Sequence, residues 1–453
     1  MYLVNLFFET MNAFTPWTLF VDLGIVAALL LVGKFIRVKV KAVQKMFIPP
    51  SLIAGFLGLL LGPEGLGWLP FSGQLGTYAG ILIALVFACL PFTSAKVTKE
   101  QRGGIGKMWA YSQGGMLFQW AFGGFLGVLV LCQIWPLDKA FGISMPCGFC
   151  GGHGTAAAIG TAFQRFGNEE MLTLAMTAAT VGILGSVLLG MGMIKWATRK
   201  GHTSYLSDFS ALPDELRTGL LPEGKKENMG ESSCSSISID GLAFNLAVVV
   251  IVAFGGYLIS KGVNLLFPTF ELPVFSCAFI VGILVKLVMD KANVTQYVCK
   301  KTVGHLSGTF TDFLVAFGIS SIKLSVVANY IVPLSILLVC GLLFTLAYVF
   351  CMGRRMFKGD GWFEKSVFTW GWYTGTMAMG IALLRVVDHE MKSRCLDDYA
   401  LAYLFIAPVE IALITFAPVA FVNGYGVHFL GIVLVAALVV TGVAAAKGWL
   451  KKR

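Results

Sequence analysis

Apolar residues along this chain come in long blocks separated by polar connections. Eleven blocks stand out, at 17–34, 47–62, 78–95, 108–133, 173–197, 242–267, 272–289, 309–327, 329–352, 398–422 and 427–446. Most approach the ~20 residues that a helix needs to cross a hydrocarbon core, and 47–62 is the shortest. Two further stretches fit neither block nor connection. Residues 141–166 are too polar and glycine-rich for an ordinary span, yet too apolar for a surface loop, and 361–387 contains a second glycine-interrupted run. Backbone that leaves helical geometry inside a bilayer carries unpaired N–H and C=O groups costing several kcal/mol each. It survives only where protein buries it or where it lines a wet cavity.

Composition agrees with a membrane protein. Hydrophobic residues make up 57% of the 453 and charged residues 13%, with a mean hydropathy of +0.79. Soluble domains average about a quarter charged residues. The formal net charge of +10 suggests nucleic acid until the placement of the charges is considered. Lys34, Arg37, Lys39, Lys41 and Lys45 follow the first block, and Lys96, Lys99, Arg102 and Lys107 follow the third. Arg199, Lys200, Arg217, Lys225 and Lys226 follow the fifth, and Lys286, Lys291, Lys300 and Lys301 surround the end of the seventh. Arg354, Arg355 and Lys358 follow the ninth, and Lys447, Lys451, Lys452 and Arg453 close the chain. Every second connection is basic, the positive-inside pattern, which predicts an outer N-terminus and a cytoplasmic C-terminus. The basic balance reports topology, and no nucleic-acid partner is expected. The N-terminus shows neither the basic start nor the cleavage site of a signal peptide.

The longest hydrophilic stretch, 198–240, reads as a cytoplasmic linker. It divides a first membrane repeat, 1–197, from a second, 241–422, with 423–453 as an extra C-terminal helix and basic tail. Five blocks precede the linker, so the second half starts from the opposite side of the membrane. The halves also share internal order. Ile48-Pro49-Pro50 opens the second block, Glu271-Leu272-Pro273 opens the seventh, and 102 residues separate Pro50 from Gly152 and Pro273 from Gly375 alike. The expected fold is therefore all-α and membrane-integral, two inverted five-helix repeats each with a re-entrant hairpin. One hairpin near 141–166 enters from outside, and the other near 361–387 enters from the cytoplasm. Paired interruptions at corresponding positions of two halves point to a transporter's binding site.

Candidate chemistry gathers at the two interruptions. In Gly151-Gly152-His153-Gly154-Thr155 the glycines permit positive φ and close approach of a ligand to backbone. Exposed N–H groups opening the following helix bind anions, while carbonyls and the Thr155 hydroxyl suit a hard cation such as Na⁺. His153 offers a donor or an acceptor. Thr374, Gly375 and Thr376 form the second tip, and Arg385 beyond it is a candidate partner for a substrate carboxylate or a basic residue reaching the cytoplasmic headgroups. Ionisable and polar groups inside spans add Glu410, Asp312 and Gln119 as candidate cation ligands, with the polar Thr415 about one turn beyond Glu410. Asp22 and Lys261 lie nearer span ends, where snorkelling explains them. Cys147, Cys150 and His153 also present a C-x₂-C-x₂-H spacing that allows a membrane-embedded metal or redox site, without an evident fourth ligand. No P-loop, G-x-S-x-G, H-E-x-x-H or kinase signature is present, so ATP-driven pumping and standard hydrolysis find no support and no enzyme is expected.

Gly151-Gly152-His153-Gly154-Thr155-Ala156-Ala157-Ala158, followed by Arg165-Phe166-Gly167, resembles the GGHGT-x-AA signature of the bacterial sodium:glutamate symporters. Glu271-Leu272-Pro273 matches as well, and the likeness runs from about 20 to 422. The second signature departs from the family's GFGLGATP, reading Gly371-Trp372-Tyr373-Thr374-Gly375-Thr376-Met377-Ala378, and the block at 427–446 is an addition. The resemblance implies a dimeric, inverted-repeat secondary transporter in the bacterial inner membrane. It would move glutamate or a related amino acid or carboxylate with Na⁺ by an elevator-like step. Proton coupling, a channel, and the metal or redox protein are the other readings.

Overall fold

The computed structural model of the chain describes residues 14–45, 48–93, 102–205, 218, 220–225, 228–235, 237–266, 274–388 and 392–450. Pro273, the residues of the linker between 206 and 217, and the basic residues 451–453 lie outside these. Among the described residues every regular element is helical. Apart from the short helices Lys41–Lys45 and Leu324–Asn329 and 3₁₀ turns, they are in chain order α1 (Pro16–Lys39), α2 (Pro50–Leu61), α3 (Leu75–Thr93) and α4 (Arg102–Leu126, continued by a π-helical turn Gly127–Leu131 and by Cys132–Ile134). There follow α5 (Ser144–Phe149), α6 (Gly152–Arg165), α7 (Glu170–Arg199), α8 (Gly241–Leu266), α9 (Val274–Lys291) and α10 (Lys300–Ser320). The last are α11 (Ile331–Met356), α12 (Trp362–Thr374), α13 (Met377–Val387), α14 (Cys395–Val422) and α15 (Gly426–Ala446).

Each apolar block coincides with a helix. Eight helices among the described residues are long and apolar enough to cross a membrane: α1, α3, α4, α7, α8, α11, α14 and α15. Three of the eleven expected spans fall short. α2 has 12 residues between Pro49-Pro50 and Gly62, about 18 Å of rise against a core of ~30 Å. α9 carries Lys286, Asp290 and Lys291 in its last two turns. α10 begins nine residues before the expected 309, with Lys300, Lys301 and His305 in its first turns.

The chain forms two compact units, and each takes helices from both sequence halves. The first comprises residues up to Thr93 and Arg217–Ala328, the second Ser94–Leu216 and Asn329–Arg453. In the first unit, α3 packs against α9 and α10, and α2 against α1 and α10. One core joins Ala88, Phe92, Val249, Val252, Ala278 and Val303, and another joins Val26, Ala54, Leu75, Tyr78 and Phe317. Asp22 corrects the snorkelling expectation. It is fully buried in α1, accepting from the Ser72 N–H at 3.0 Å, the Ser72 hydroxyl at 2.5 Å and the Tyr78 hydroxyl at 3.1 Å. Lys261 is exposed beside the Tyr257 ring.

In the second unit, α7 packs against α5, α6 and α12, while α4 packs against α11, α14 and α15. Small residues let backbones touch, as bilayer-buried helices require in place of a hydrophobic driving force. A Cβ built on Gly127 would lie 2.5 Å from Gly142 Cα, so the π-turn of α4 meets the start of the first interrupted segment backbone to backbone.

Candidate functional site

Both interrupted segments are helix–break–helix units, and both belong to the second unit. The first runs through a 3₁₀ turn (Phe141–Ile143) and α5, breaks at Cys150-Gly151, and resumes as α6. Gly151 has φ 90° and Gly152 φ 65°, a left-handed conformation in which a side chain is strained. Gly154 lies inside α6 without positive φ, so its expected conformational role does not hold. No side chain caps α6, whose first-turn N–H groups therefore face the break without a capping acceptor.

The second segment runs through α12, breaks at Gly375, and resumes as α13 behind an N-cap made by Thr376, whose hydroxyl accepts from the Met379 N–H at 3.4 Å. Gly375 has φ −152°, outside the left-handed region that Gly151 and Gly152 use. The Thr374 hydroxyl is turned back onto the Trp370 carbonyl at 2.8 Å, leaving its backbone carbonyl at the tip.

The two breaks meet. A Cβ on Gly152 would lie 2.7 Å from Thr376 Cγ2 and 3.0 Å from the Gly375 carbonyl oxygen. α7 forms their common wall. A Cβ on Gly182 would strike the Thr374 carbonyl oxygen and lie 2.8 Å from Phe149 Cδ1, and the Trp370 indole N–H donates to the Ser186 carbonyl at 3.0 Å.

His153 is fully buried, and its Nε2 lies 2.9 Å from Thr180 Oγ1 on α7. That hydroxyl donates to the Met176 carbonyl at 2.9 Å, so it accepts from His153 and fixes the Nε2–H tautomer. Nδ1 is then a bare acceptor, and it has no partner within the protein. Thr155 Oγ1 closes over Gly151, and a Cβ on Gly151 would lie 3.1 Å from Glu410 Oε1. Glu410, buried in α14, accepts from the Tyr403 hydroxyl at 3.1 Å. Pro408, two residues earlier, removes an N–H from the same helix and frees the Leu404 carbonyl. Gln119 on α4 spends both protons of its amide nitrogen on Thr345 Oγ1 at 2.8 Å and the Tyr373 carbonyl at 3.0 Å, while its Oε1 has no protein partner. The amide thereby tethers the last turn of α12.

Two expected residues, Arg385 and Asp312, are not gathered there. Arg385 is exposed in the last turn of α13, about 14 Å of helix rise beyond Thr376. Asp312 belongs to the first unit, exposed on α10 beside Ser51. Thr415 donates to the Ile411 carbonyl at 2.6 Å within its own helix. The metal reading of Cys147, Cys150 and His153 is also corrected. Among the described residues no three His, Cys, Asp or Glu side chains come together to hold a metal ion, and Nε2 of His153 is taken up by Thr180.

A family model described as the sodium/glutamate symporter matches residues 18–381. The chain belongs to the sodium/glutamate symporter family. That is a family of transporters and not of enzymes, in keeping with the many-span helical structure. No curated protein matches the chain.

The family match takes in both breaks, Gln119 and His153, and ends within α13, so Arg385, Glu410 and α15 lie beyond it. Sequence reasoning missed two partners. Tyr403 stands seven residues before Glu410, and that spacing puts both on one helix face, so it was readable. Thr180 offered no signal, being one of four hydroxyls inside an apolar block.

Proposed function

We propose that this protein is a Na⁺-coupled secondary transporter for glutamate or a related small amino acid or carboxylate, with its site where the two helix breaks meet. The observation that carries the reading is the contact of Gly152 with Thr376 and the Gly375 carbonyl. Two helices, α6 and α13, start at the breaks, and two others, α5 and α12, end there. Positive helix ends attract a carboxylate, and the carbonyl ends attract a cation, so one junction serves both cargoes. His153 Nδ1 adds an acceptor for a substrate ammonium, and Thr155 Oγ1 with Glu410 Oε1 supplies hard oxygen ligands for Na⁺.

The equal 102-residue steps and the two helix–break–helix segments support an inverted repeat, with one hairpin entering from each side. The basic connections favour an outer N-terminus and a cytoplasmic C-terminus in a bacterial inner membrane, and the family favours a homodimer working by an elevator-like step. Glutamate uptake into proteoliposomes, with Na⁺ or choline outside at fixed pH, tests the function. Saturable uptake dependent on the Na⁺ gradient is expected. Uptake that follows an imposed proton gradient and ignores Na⁺ overturns Na⁺ coupling and leaves a proton-coupled carrier with Glu410 as its proton site. Orientation is tested at the C-terminus with Lys452→Cys in a background free of accessible thiols, where labelling by an impermeant reagent in intact cells contradicts a cytoplasmic tail.

A further inference from the structure

α7 and α11 pack side by side in the same direction, Gly185 against Leu342 and Trp196 against Phe350, and both end in basic residues, Arg199 and Lys200 on one and Arg354 and Arg355 on the other. Between them lies an open groove of about 550 Å³ lined by Leu188, Leu189, Met193, Leu346 and Phe350. Gly192 deepens it, for a Cβ there would meet nothing within 4 Å. At the basic end of the groove the Arg354 guanidinium carbon sits 4.6 Å from the centre of the Trp362 ring and 5.9 Å from those of Trp196 and Phe350. The His202 ring lies tilted against Trp196 and edge-on to Trp362. Among the described residues no carboxylate pairs with Arg354. Aromatic faces thus fix the guanidinium in place without consuming its five N–H donors.

From this arrangement we infer a binding site for an anionic phospholipid, one acyl chain lying in the groove and the headgroup phosphate on Arg354. An apolar groove with a preset cation at one end, among further basic residues, complements a phosphate attached to a hydrocarbon tail. The half-exposed Trp196 ring suits the boundary between tail and headgroup, where Trp collects in membrane proteins. Trp362 is the first residue of α12, so the headgroup would rest against the base of the second interrupted segment.

The test is native mass spectrometry of the purified full-length protein, titrated in detergent with dioleoyl phosphatidylglycerol or dioleoyl phosphatidylcholine. Wild type is expected to retain the anionic lipid preferentially, and Arg354→Gln to weaken its retention about fivefold, the ~1 kcal/mol of one basic residue near an anionic surface. Arg354→Lys should keep part of the preference. Gly192→Leu, at an exposed position with open space, should fill the groove and reduce retention of both lipids. Equal retention of the two lipids by wild type, or undiminished retention by Arg354→Gln, overturns the site. A change in the monomer-to-dimer ratio in Gly192→Leu with lipid retention unchanged overturns it too, and assigns the groove to a second copy of the chain. None of these readouts depends on transport.

Discussion

Gly152 and Thr376 stand 224 residues apart in sequence, yet the space a side chain would take on the first is filled by the methyl group of the second, 2.7 Å from the Cβ position. Each residue adjoins a helix break, and each break leaves polar backbone that the helices cannot pair internally. Bringing the two together concentrates opposite helix ends in one buried place. α7 makes this possible because its small residues, Ala179, Gly182 and Ser186, admit backbone from both segments.

Gly152→Ala should reduce uptake by at least about tenfold while the protein remains in the membrane. Its φ of 65° costs a side-chain-bearing residue ~1–2 kcal/mol, and the overlap with Thr376 adds to that. Gly375→Ala should be milder, since its φ is negative and its Cβ would meet atoms no nearer than 3.2 Å. Thr376→Ser removes the methyl but keeps the N-cap hydroxyl, so it should partly restore uptake to Gly152→Ala. Initial uptake rates normalised to protein level measure all three, and equal losses at the two glycines would contradict the assigned geometry.

Gln119→Met should loosen the second break. The substitution leaves the Tyr373 carbonyl and the Thr345 hydroxyl without their shared donor, a loss of ~1–3 kcal/mol for buried polar groups. The temperature of half-inactivation in detergent should fall along with uptake. Unchanged values of both would mean that the amide does not hold α12.

The helices and the two breaks were legible in the sequence because their signals are local. Pro49-Pro50 starts α2 and Gly62 ends it, and two consecutive glycines mark the first break. α10 began earlier than the apolar pattern suggested because Lys300, Lys301 and His305 carry no hydropathy signal even where they are helical. What stayed hidden depends on chain reversal over long distances. Gln119 reaches the Tyr373 carbonyl 254 residues away, and Asp22 gains Ser72 and Tyr78 from two elements further on. The sorting of both sequence halves into the same two units is of this kind, since no residue pattern states which helix packs on which.

Thr180→Val should impair transport more than stability. The hydroxyl is what holds His153 in the Nε2–H tautomer, with Nδ1 bare. Valine keeps the shape but offers no acceptor, so the imidazole loses its orientation at a cost of ~1–2 kcal/mol, or roughly five- to thirtyfold in rate. Thr180→Ser should behave nearly as wild type. Comparable uptake by the valine and serine variants would remove His153 orientation from the account.

Glu410 bears on coupling. Its Oε1 lies at the first break near Thr155, and its Oε2 is held by Tyr403. If this carboxylate helps hold Na⁺, bound cation raises the affinity for an anionic substrate, because the two attract each other in a low-dielectric site. Couplings of this kind amount to ~1–3 kcal/mol, or about 5–150-fold in affinity. Glu410→Gln should therefore flatten the Na⁺ dependence of substrate binding more than it weakens binding at saturating Na⁺. Tyr403→Phe, which frees one oxygen without changing the charge, should shift the Na⁺ half-saturation and leave the maximum unchanged. Substrate titrations of purified protein in Na⁺ and in choline at fixed pH read both effects. The same affinity in the two salts for wild type would remove Na⁺ from the site. A full Na⁺ effect surviving in Glu410→Gln would instead move the ion to the carbonyls and Thr155 alone.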